Sequence, residues 1–95
     1  MKGGWVYIMA DRYRGTLYIG VTSNVAGRVY AHREGRGSDF CKRYGLTSLV
    51  YAEEVPTIDE AIAREKAMKK WKRAWKIELI EAANPDWDDL FERIL

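Results

Sequence analysis

The sequence predicts an α+β fold, a small α/β sandwich in which helices cover a three-stranded, largely antiparallel sheet. Three observations predict this fold: two short apolar runs with a polar turn between them, a third apolar run that ends at a proline, and helix-capping signals before the remaining stretches. The 95 residues are 47% hydrophobic and 32% charged, which is a globular composition with room for one core. We therefore expect one domain over residues 1–95.

The first two apolar runs are predicted to form a β-hairpin. Residues 5–10 and 16–21 are strand-forming, and the polar segment 11–15 between them ends in glycine. Because this connection is short, the two strands pair in antiparallel fashion. A third strand is predicted over residues 49–55, where Pro56 ends it.

Two tyrosines stand out in the alternation of this hairpin. Val6, Ile8 and Ala10 form an aliphatic face of the first strand. If such residues face the core, Tyr7 and Tyr18 project together from the opposite face of the sheet. A half-buried tyrosine with a wet hydroxyl is also ordinary in a strand, so this pattern alone favours a structural role.

The first helix is predicted between the second and third strands. Residues 22–24 are all N-cap types, so a helix begins there and runs to about Glu34. The glycine-rich segment 35–38 ends it, and residues 40–44 are predicted to form a short helix or a turn.

A long helical stretch is predicted after the third strand. Residues 57–60 have the capping-box pattern, and the helical pattern continues to about Ala83, with a bend allowed within it. The pair Asn84-Pro85 ends this stretch, because the residue before a proline avoids the helical conformation. Residues 86–94 are predicted to form a last short helix.

The single cysteine and the single histidine exclude two kinds of site. With only Cys41 and His32, the chain can form neither an internal disulfide nor a Cys/His zinc site. A reducing, cytoplasmic setting is the corresponding expectation. No apolar run is long enough for a membrane span and no signal-peptide pattern begins the chain, so we expect no membrane association.

The net charge of +2 hides a basic segment and an acidic end. Residues 64–76 contain seven Lys or Arg against one Glu, which indicates either a solvated helix face, the commoner case, or a phosphate-contacting surface. Trp71 and Trp75 within this segment are spaced to share a helix face and are expected to anchor the core. The four acids of residues 86–92 are expected to lie away from any DNA-binding cleft.

Polar residues occupy inward positions of the first helix. Val25, Arg28, Val29 and His32 have the spacing of a single helix face, so Arg28 and His32 are predicted to turn inward. A lone histidine is more often a satisfied structural residue than a catalyst. An inward arginine beside it needs a compensating partner, and a phosphate is one.

Glu65 occupies the inward phase of the long helical stretch, together with Ala61 and Met68. Its ordinary interpretation is an i, i+4 pair with Lys69, worth about 0.2–0.5 kcal/mol. The other interpretation is a metal ligand, since one carboxylate with waters and a substrate phosphate is a common way to hold Mg²⁺.

Several short segments of the chain occur, in the same order, in one known family. They are Val6-Tyr7-Ile8, Tyr18-Ile19-Gly20, Arg28, His32, Arg64-Glu65-Lys66 and Asn84-Pro85. On these residues the chain resembles the GIY-YIG endonuclease superfamily, and within it the small stand-alone bacterial proteins related to the N-terminal nuclease domain of the excinuclease that carries this motif. Trp5 replaces the glycine of the first motif, and Val21 stands where excinuclease relatives have a lysine.

The resemblance implies roles for the residues of the hairpin and the first helix. Tyr7 and Tyr18 match the tyrosines of the two motifs, with Tyr7 as general base or as orienter of the attacking water. Arg28 matches the arginine that holds the scissile phosphate. His32 matches a residue that assists the nucleophile or hydrogen-bonds the phosphate.

The resemblance also implies a metal and a supporting residue. Glu65 matches the sole acidic ligand of a divalent metal, with Mg²⁺ expected and Mn²⁺ as the alternative, and Asn84 matches a late asparagine that supports the site. The implied activity is a metal-dependent DNA endonuclease that leaves 5′-phosphate and 3′-hydroxyl ends and has low sequence specificity of its own, which leaves room for a protein partner that supplies specificity.

Two other classes of function remain open from the residues. One is a nucleic-acid-binding module that keeps the fold but has little or no turnover. The other is an interaction domain that docks through the tryptophan-rich segment, a hypothesis that gives an inward Glu65 no purpose. Convergence of the candidate residues in one site is the observation that separates an enzyme from these alternatives.

Overall fold

A three-stranded antiparallel sheet lies between two layers of helices in the computed structural model, which describes residues 3–94. The predicted α+β architecture is therefore confirmed. The strand order is β2-β1-β3, with both pairs antiparallel and β1 in the centre. The elements are β1 (Gly4–Ala10), β2 (Leu17–Thr22), α1 (Val25–Arg33), α2 (Asp39–Tyr44), β3 (Ser48–Val55), α3 (Ile58–Lys69), α4 (Arg73–Ala83) and a C-terminal 3₁₀ turn (Phe91–Ile94).

Both faces of the sheet are buried, each under its own set of helices. The aliphatic face is the cluster formed by Val6, Ile8, Ala10, Ile19, Val50, Ala61, Met68, Ile80 and Trp87, which brings α3 and α4 onto the sheet. The tyrosine face is the cluster formed by Tyr7, Met9, Val25, Val29, Cys41, Leu46 and Leu49, which brings α1 and α2 onto the other side. Tyr7 is therefore fully buried, and the expectation of a half-buried ring with a wet hydroxyl is wrong for it.

The predicted helix starts are confirmed by their caps. The Asn24 side chain accepts a hydrogen bond from the backbone N–H of Gly27 at the start of α1. At the start of α3, the Thr57 hydroxyl accepts from the backbone N–H of Glu60 at 3.1 Å. No helix within residues 3–94 is both long enough and apolar enough to cross a membrane.

The predicted long helix is two helices, α3 and α4, with a break between them at residues 70–72. Trp71 lies in this break, packs partly against the aliphatic face and carries the Arg64 guanidinium 5.1 Å from its ring centroid. Arg73 then begins α4 and donates hydrogen bonds to the carbonyls of Arg14 and Gly15 in the β1–β2 turn. These long-range contacts fix the direction of α4.

The prediction that Trp75 anchors the core is wrong. Its side chain is 52% exposed, because the break after α3 turns this part of α4 outward, and only Trp71 of the pair packs against the aliphatic face. The two indole rings still meet, with centroids 6.5 Å apart and an edge-on angle of 74°.

The C-terminal segment also differs from its prediction. The last helix is reduced to the 3₁₀ turn, because Trp87 adopts a positive φ of 58° and its ring inserts into the aliphatic face. Leu90 and Phe91 pack against the tyrosine face, and Asp89 pairs with Arg33 of α1. The acidic tail therefore lies on the same side of the sheet as Tyr7, and not away from it.

Candidate functional site

The tyrosine face holds a buried hydrogen bond between two side chains that are distant in sequence. Tyr7 projects from the central strand β1, and His32 projects from the last turn of α1. The Tyr7 Oη and His32 Nε2 atoms are 2.8 Å apart, and the two residues are 0% and 2% exposed. The cap at Asn24 sets where α1 begins, so that Val25, Val29 and His32 face the sheet on successive turns.

Tyr18 connects this buried pair to the surface. It lies on the edge strand β2, with its ring centroid 6.4 Å from that of Tyr7 and 5.5 Å from that of His32. On its other side it stacks on Phe40 of α2, which is 42% exposed. Tyr18 is itself only partly buried, so it is the member of the three-ring cluster that a ligand can reach.

Gly20 explains why this motif ends in glycine. It lies directly opposite Tyr7 in the β1–β2 pairing, on the same face of the sheet. A Cβ atom at Gly20 would lie 2.5 Å from both the Cζ and the Oη atoms of Tyr7. The absence of a side chain at Gly20 is therefore what allows the Tyr7 ring to lie across β2 and reach His32.

The second nitrogen of His32 has no hydrogen-bond partner within the described residues. Gly37, in the loop after α1, lies so close that a Cβ atom there would overlap His32 Nδ1. A buried N–H without an acceptor is costly, which favours the tautomer with the proton on Nε2. In that tautomer His32 donates to Tyr7 Oη, and the hydroxyl hydrogen of Tyr7 is left for another acceptor.

Arg28 lies one turn before His32 on α1, but its side chain is exposed, so the prediction that it turns inward is wrong. The spacing fixes where the Cα–Cβ bond points, whereas the long side chain carries its charged end to the surface. The guanidinium remains close enough to act on Tyr7 and His32. None of the ion pairs within residues 3–94 involves Arg28, so its charge is available to an anion.

The protonation states of the buried pair follow from their surroundings. Burial raises the pKa of Tyr7 to about 12, although interaction with Arg28 acts in the opposite direction. Burial lowers the pKa of His32 below its ordinary 6.5, and the positive charge of Arg28 lowers it further. At neutral pH, Tyr7 is therefore a neutral hydroxyl and His32 a neutral imidazole, so Tyr7 is suited to donating a hydrogen bond rather than to acting as a base.

Glu65 lies on α3, which packs against the aliphatic face rather than the tyrosine face. Its side chain is 15% exposed, which confirms the inward phase, and its Oε2 atom lies 3.1 Å from Lys69 Nζ, which confirms the ordinary pairing. Within residues 3–94, no hydrogen bond or ion pair joins Glu65 to Tyr7, Tyr18 or His32.

Asn84 also lies outside the three-ring cluster as far as its contacts go. Its amide group donates to the carbonyls of Val50 and Asp88 at 3.0 and 2.9 Å, and its Oδ1 accepts from the backbone N–H of Asp88. These bonds attach the end of α4 to β3 and to the C-terminal segment. The suggestion that Asn84 supports the site stays a prediction.

A divalent metal fits this chain only in one way. Within residues 3–94 there is no group of three or more His, Cys, Asp or Glu side chains that could enclose an ion. Mg²⁺ does not require such a group, because it keeps several waters and binds through one or two carboxylates and the phosphates of a substrate. The mostly buried carboxylate of Glu65 is compatible with that arrangement.

Three neighbours of the cluster were not singled out as site residues from the sequence. Gly37 covers His32, Phe40 stacks on Tyr18, and Cys41 is buried in the tyrosine face with its thiol pKa raised by burial to about 11. The glycine-rich break before α2 was the available signal for Gly37. A thiol with this pKa is protonated at neutral pH, in agreement with the absence of any predicted role for Cys41.

Comparison with known proteins identifies the family. The sequence model of the GIY-YIG catalytic domain matches residues 3–78, which include Tyr7, Tyr18, Arg28, His32 and Glu65. The chain belongs to the GIY-YIG family. This is a nuclease family, so the resemblance seen in the motifs is confirmed, and the GIY-YIG match covers all three strands and both faces of the sheet.

The curated relatives of this GIY-YIG chain include small proteins of about its own length. It is 35% identical over 81 residues to a UPF0213 protein of Staphylococcus haemolyticus, covering 85% of this chain and 98% of that protein. It is 34% identical over 87 residues to a UPF0213 protein of Syntrophus aciditrophicus, covering 90% and 98% respectively. The names of these relatives state no activity. No solved structure was found that matches the chain.

Proposed function

We propose that this GIY-YIG protein is a metal-dependent DNA endonuclease that hydrolyses phosphodiester bonds, leaves 5′-phosphate and 3′-hydroxyl ends and has low intrinsic sequence specificity. The observation that carries the proposal is the buried hydrogen bond between Tyr7 and His32 beside the unpaired charge of Arg28. Buried polar groups are costly where hydrocarbon would pack as well, so their presence under an exposed cation favours a site for an anion.

Arg28 is the residue that would hold the scissile phosphate. Its planar guanidinium can donate two parallel hydrogen bonds to phosphate oxygens, and it would stabilise the charge that develops during hydrolysis. Its position on a capped helix, one turn from the buried His32, gives that charge a defined place on the surface.

Tyr7 and Tyr18 would orient the reacting groups. Tyr7 is held by His32 and stays protonated, so its hydroxyl hydrogen can be donated to the attacking water or to the phosphate. Tyr18 would contact the substrate directly, because it is the partly exposed ring of the cluster. His32 is then a positioning residue, since both of its nitrogens are closed off by Tyr7 and Gly37.

Neither Tyr7 nor His32 is a strong base in this environment, which leaves a role for a divalent cation at Glu65. Such a cation, when bound, supplies the positive charge that acidifies a water molecule and neutralises the phosphate. Glu65 is paired with Lys69, so holding the cation requires that this ion pair open. Mg²⁺ is the ion expected, and Mn²⁺ is an alternative with similar ligands.

A nucleic-acid-binding module with little turnover is the second candidate. The observation that favours it is the closed ion pair of Glu65 and Lys69, on the helix that packs against the other face of the sheet. If the ion pair does not open on substrate, the chain would bind DNA through Arg28 without cleaving it.

Nicking of supercoiled plasmid with Mg²⁺, with Mn²⁺ and with EDTA tests the choice between these two. Glu65→Gln removes the charge of the metal ligand, and Glu60→Gln on the exposed side of the same helix is the matched control. The nuclease proposal expects metal-dependent nicking by wild type and Glu60→Gln and none by Glu65→Gln. Equal nicking by all three proteins would contradict it. DNA binding without nicking by wild type would favour the binding module.

A further inference from the structure

An exposed aromatic groove lies on the α3–α4 side of the molecule, away from the three-ring cluster. It has a volume of about 380 Å³ and is lined by Trp71, Trp75, Glu78, Leu79 and Ala82. Both indole rings contribute to its wall, and more than half of the Trp75 side chain is open to solvent. An exposed tryptophan beside an apolar groove is typical of a binding surface.

Each of the two indole rings carries a cation. Lys72 Nζ lies 5.7 Å from the centroid of Trp75, and the Arg64 guanidinium lies 5.1 Å from that of Trp71. Arg64 is neutralised by Glu53, whereas Lys72 forms no ion pair within the described residues. The ring of Trp75 therefore has an uncompensated positive charge next to it.

Other lysines around the break are also uncompensated. Of the basic segment, Lys69 pairs with Glu65 and Arg73 is occupied by the β1–β2 turn, but the rest add positive charge without a carboxylate partner in residues 3–94. The remaining lysines are Lys66, Lys70, Lys72 and Lys76. This leaves a positively charged border along an aromatic groove, which is the combination found where single-stranded nucleic acid binds.

Glu78 decides which part of a nucleotide would enter. Its carboxylate lines the groove and would repel a phosphate there, whereas the face of a base is neutral and stacks on an indole ring. The phosphates of the same strand would then lie along the lysines. An aliphatic protein segment is a poorer match, because Leu79 and Ala82 are the only aliphatic residues of the lining.

We propose that this groove binds an unpaired base of the DNA substrate, with the base stacked on Trp75 and the adjoining phosphates on Lys72 and its neighbours. The proposal rests on the proposed function, since it assumes that DNA is the substrate. The molecule measures 34 × 29 × 24 Å, and ten base pairs of duplex are about 34 Å long, so one branched DNA can reach both surfaces. The consequence is a preference for DNA with a single-stranded segment over plain duplex.

Fluorescence anisotropy with a labelled single-stranded oligonucleotide and the matching duplex tests this groove. Trp75→Ala removes the stacking ring, and Trp75→Phe keeps a ring of smaller area. We expect Trp75→Ala to weaken single-strand binding on the order of tenfold or more, with duplex binding and plasmid nicking unchanged. Trp75→Phe should recover most of the single-strand affinity, and circular dichroism checks that both variants fold.

The outcomes separate this proposal from the nuclease proposal. Loss of single-strand binding by Trp75→Ala supports the groove even if wild type does not nick plasmid. Single-strand affinity equal to that of wild type would overturn it, whatever the nicking activity. If Trp75→Ala changed the sedimentation coefficient but not the single-strand affinity, the groove would be an interface between copies of the chain and the proposal would be wrong.

Discussion

The two faces of the sheet share the same central strand but differ in chemistry. Val6 and Ile8 of β1 lie in a cluster made of hydrocarbon and one indole ring, whereas Tyr7 and Met9 between them lie in a cluster that closes over His32 and Cys41. The aliphatic face is a conventional core. The tyrosine face buries titratable groups, and it is the face beside which an unpaired arginine lies.

The comparison teaches that a shifted pKa does not by itself mark a site. Tyr51 of β3 packs against the aliphatic face and also has a pKa raised by burial to about 12, helped by a hydrogen bond to Glu53. The two tyrosines differ in their neighbours. Tyr51 faces a carboxylate that is already paired with Arg64, and Tyr7 faces a buried imidazole and an arginine free to bind an anion.

The largest expected effect on stability belongs to the aliphatic face. Ile8→Ala removes a fully buried side chain from its centre and should lower the free energy of unfolding by about 2–5 kcal/mol. Urea denaturation followed by circular dichroism measures this change. Nicking activity per folded molecule should remain that of wild type. A selective loss of activity without loss of stability would contradict the division of roles between the two faces.

Arg28→Ala should have the opposite profile. Because the side chain is exposed and unpaired, the free energy of unfolding should change by less than about 0.5 kcal/mol. The nicking rate should fall on the order of 10²–10³-fold, as for loss of one stabilising donor, and Arg28→Lys should restore little because it lacks the two-pronged geometry. Arg36→Ala, an exposed arginine just beyond α1, is the control and should nick like wild type.

Gly20→Ala tests the packing that brings Tyr7 to His32. The added methyl would meet the Tyr7 ring, and overpacking of this kind costs about 1–3 kcal/mol. We expect a moderate loss of stability by urea denaturation together with loss of nicking, since the ring must move off His32. Unchanged stability and unchanged nicking would mean that the ring is not held across Gly20.

The smallest expected effect is a pH dependence that differs between two parts of the molecule. His32 has a lowered pKa in the folded protein, so the unfolded chain binds its proton first and stability falls as the pH drops below about 6.5. Glu81 is held by Arg14 and by the Trp87 indole N–H, which lower its pKa from 4.5 to about 2. Its contribution is therefore lost only as the pH falls from about 4.5 toward 2.

Melting temperatures of wild type, His32→Gln and Glu81→Gln across this pH range check the assignment. His32→Gln should flatten the fall between about pH 7 and 5 and leave the acidic fall in place. Glu81→Gln should do the reverse. If His32→Gln left the upper fall unchanged, the imidazole would not be the group that titrates there.

Much of the fold followed from the sequence because it depends on local patterns. Alternation in β1 separated Val6 and Ile8 from Tyr7, and capping residues at Asn24 and Thr57 placed the starts of α1 and α3. Motif order brought Tyr7, Tyr18, Arg28 and His32 together, and the structure places the three rings in contact. The roles of Glu65 and Asn84 stay predictions.

The errors concern features that depend on distant contacts. The break before α4 is set by Arg73 binding the carbonyls of the β1–β2 turn, which no helical pattern encodes. That break is also what leaves Trp75 exposed. The outward end of Arg28 could not be predicted from helical spacing, because the spacing gives only the direction in which a side chain starts.

Metal-dependent plasmid nicking by Tyr7→Phe and Tyr51→Phe tests the central claim most directly. Each substitution removes one hydrogen-bonded hydroxyl, from the tyrosine face in the first case and beside the aliphatic face in the second. Each is expected to cost about 1–3 kcal/mol of stability at most, so the pair is matched in kind. We predict that Tyr7→Phe is folded but inactive and that Tyr51→Phe nicks like wild type. Wild-type nicking by folded Tyr7→Phe would contradict the account.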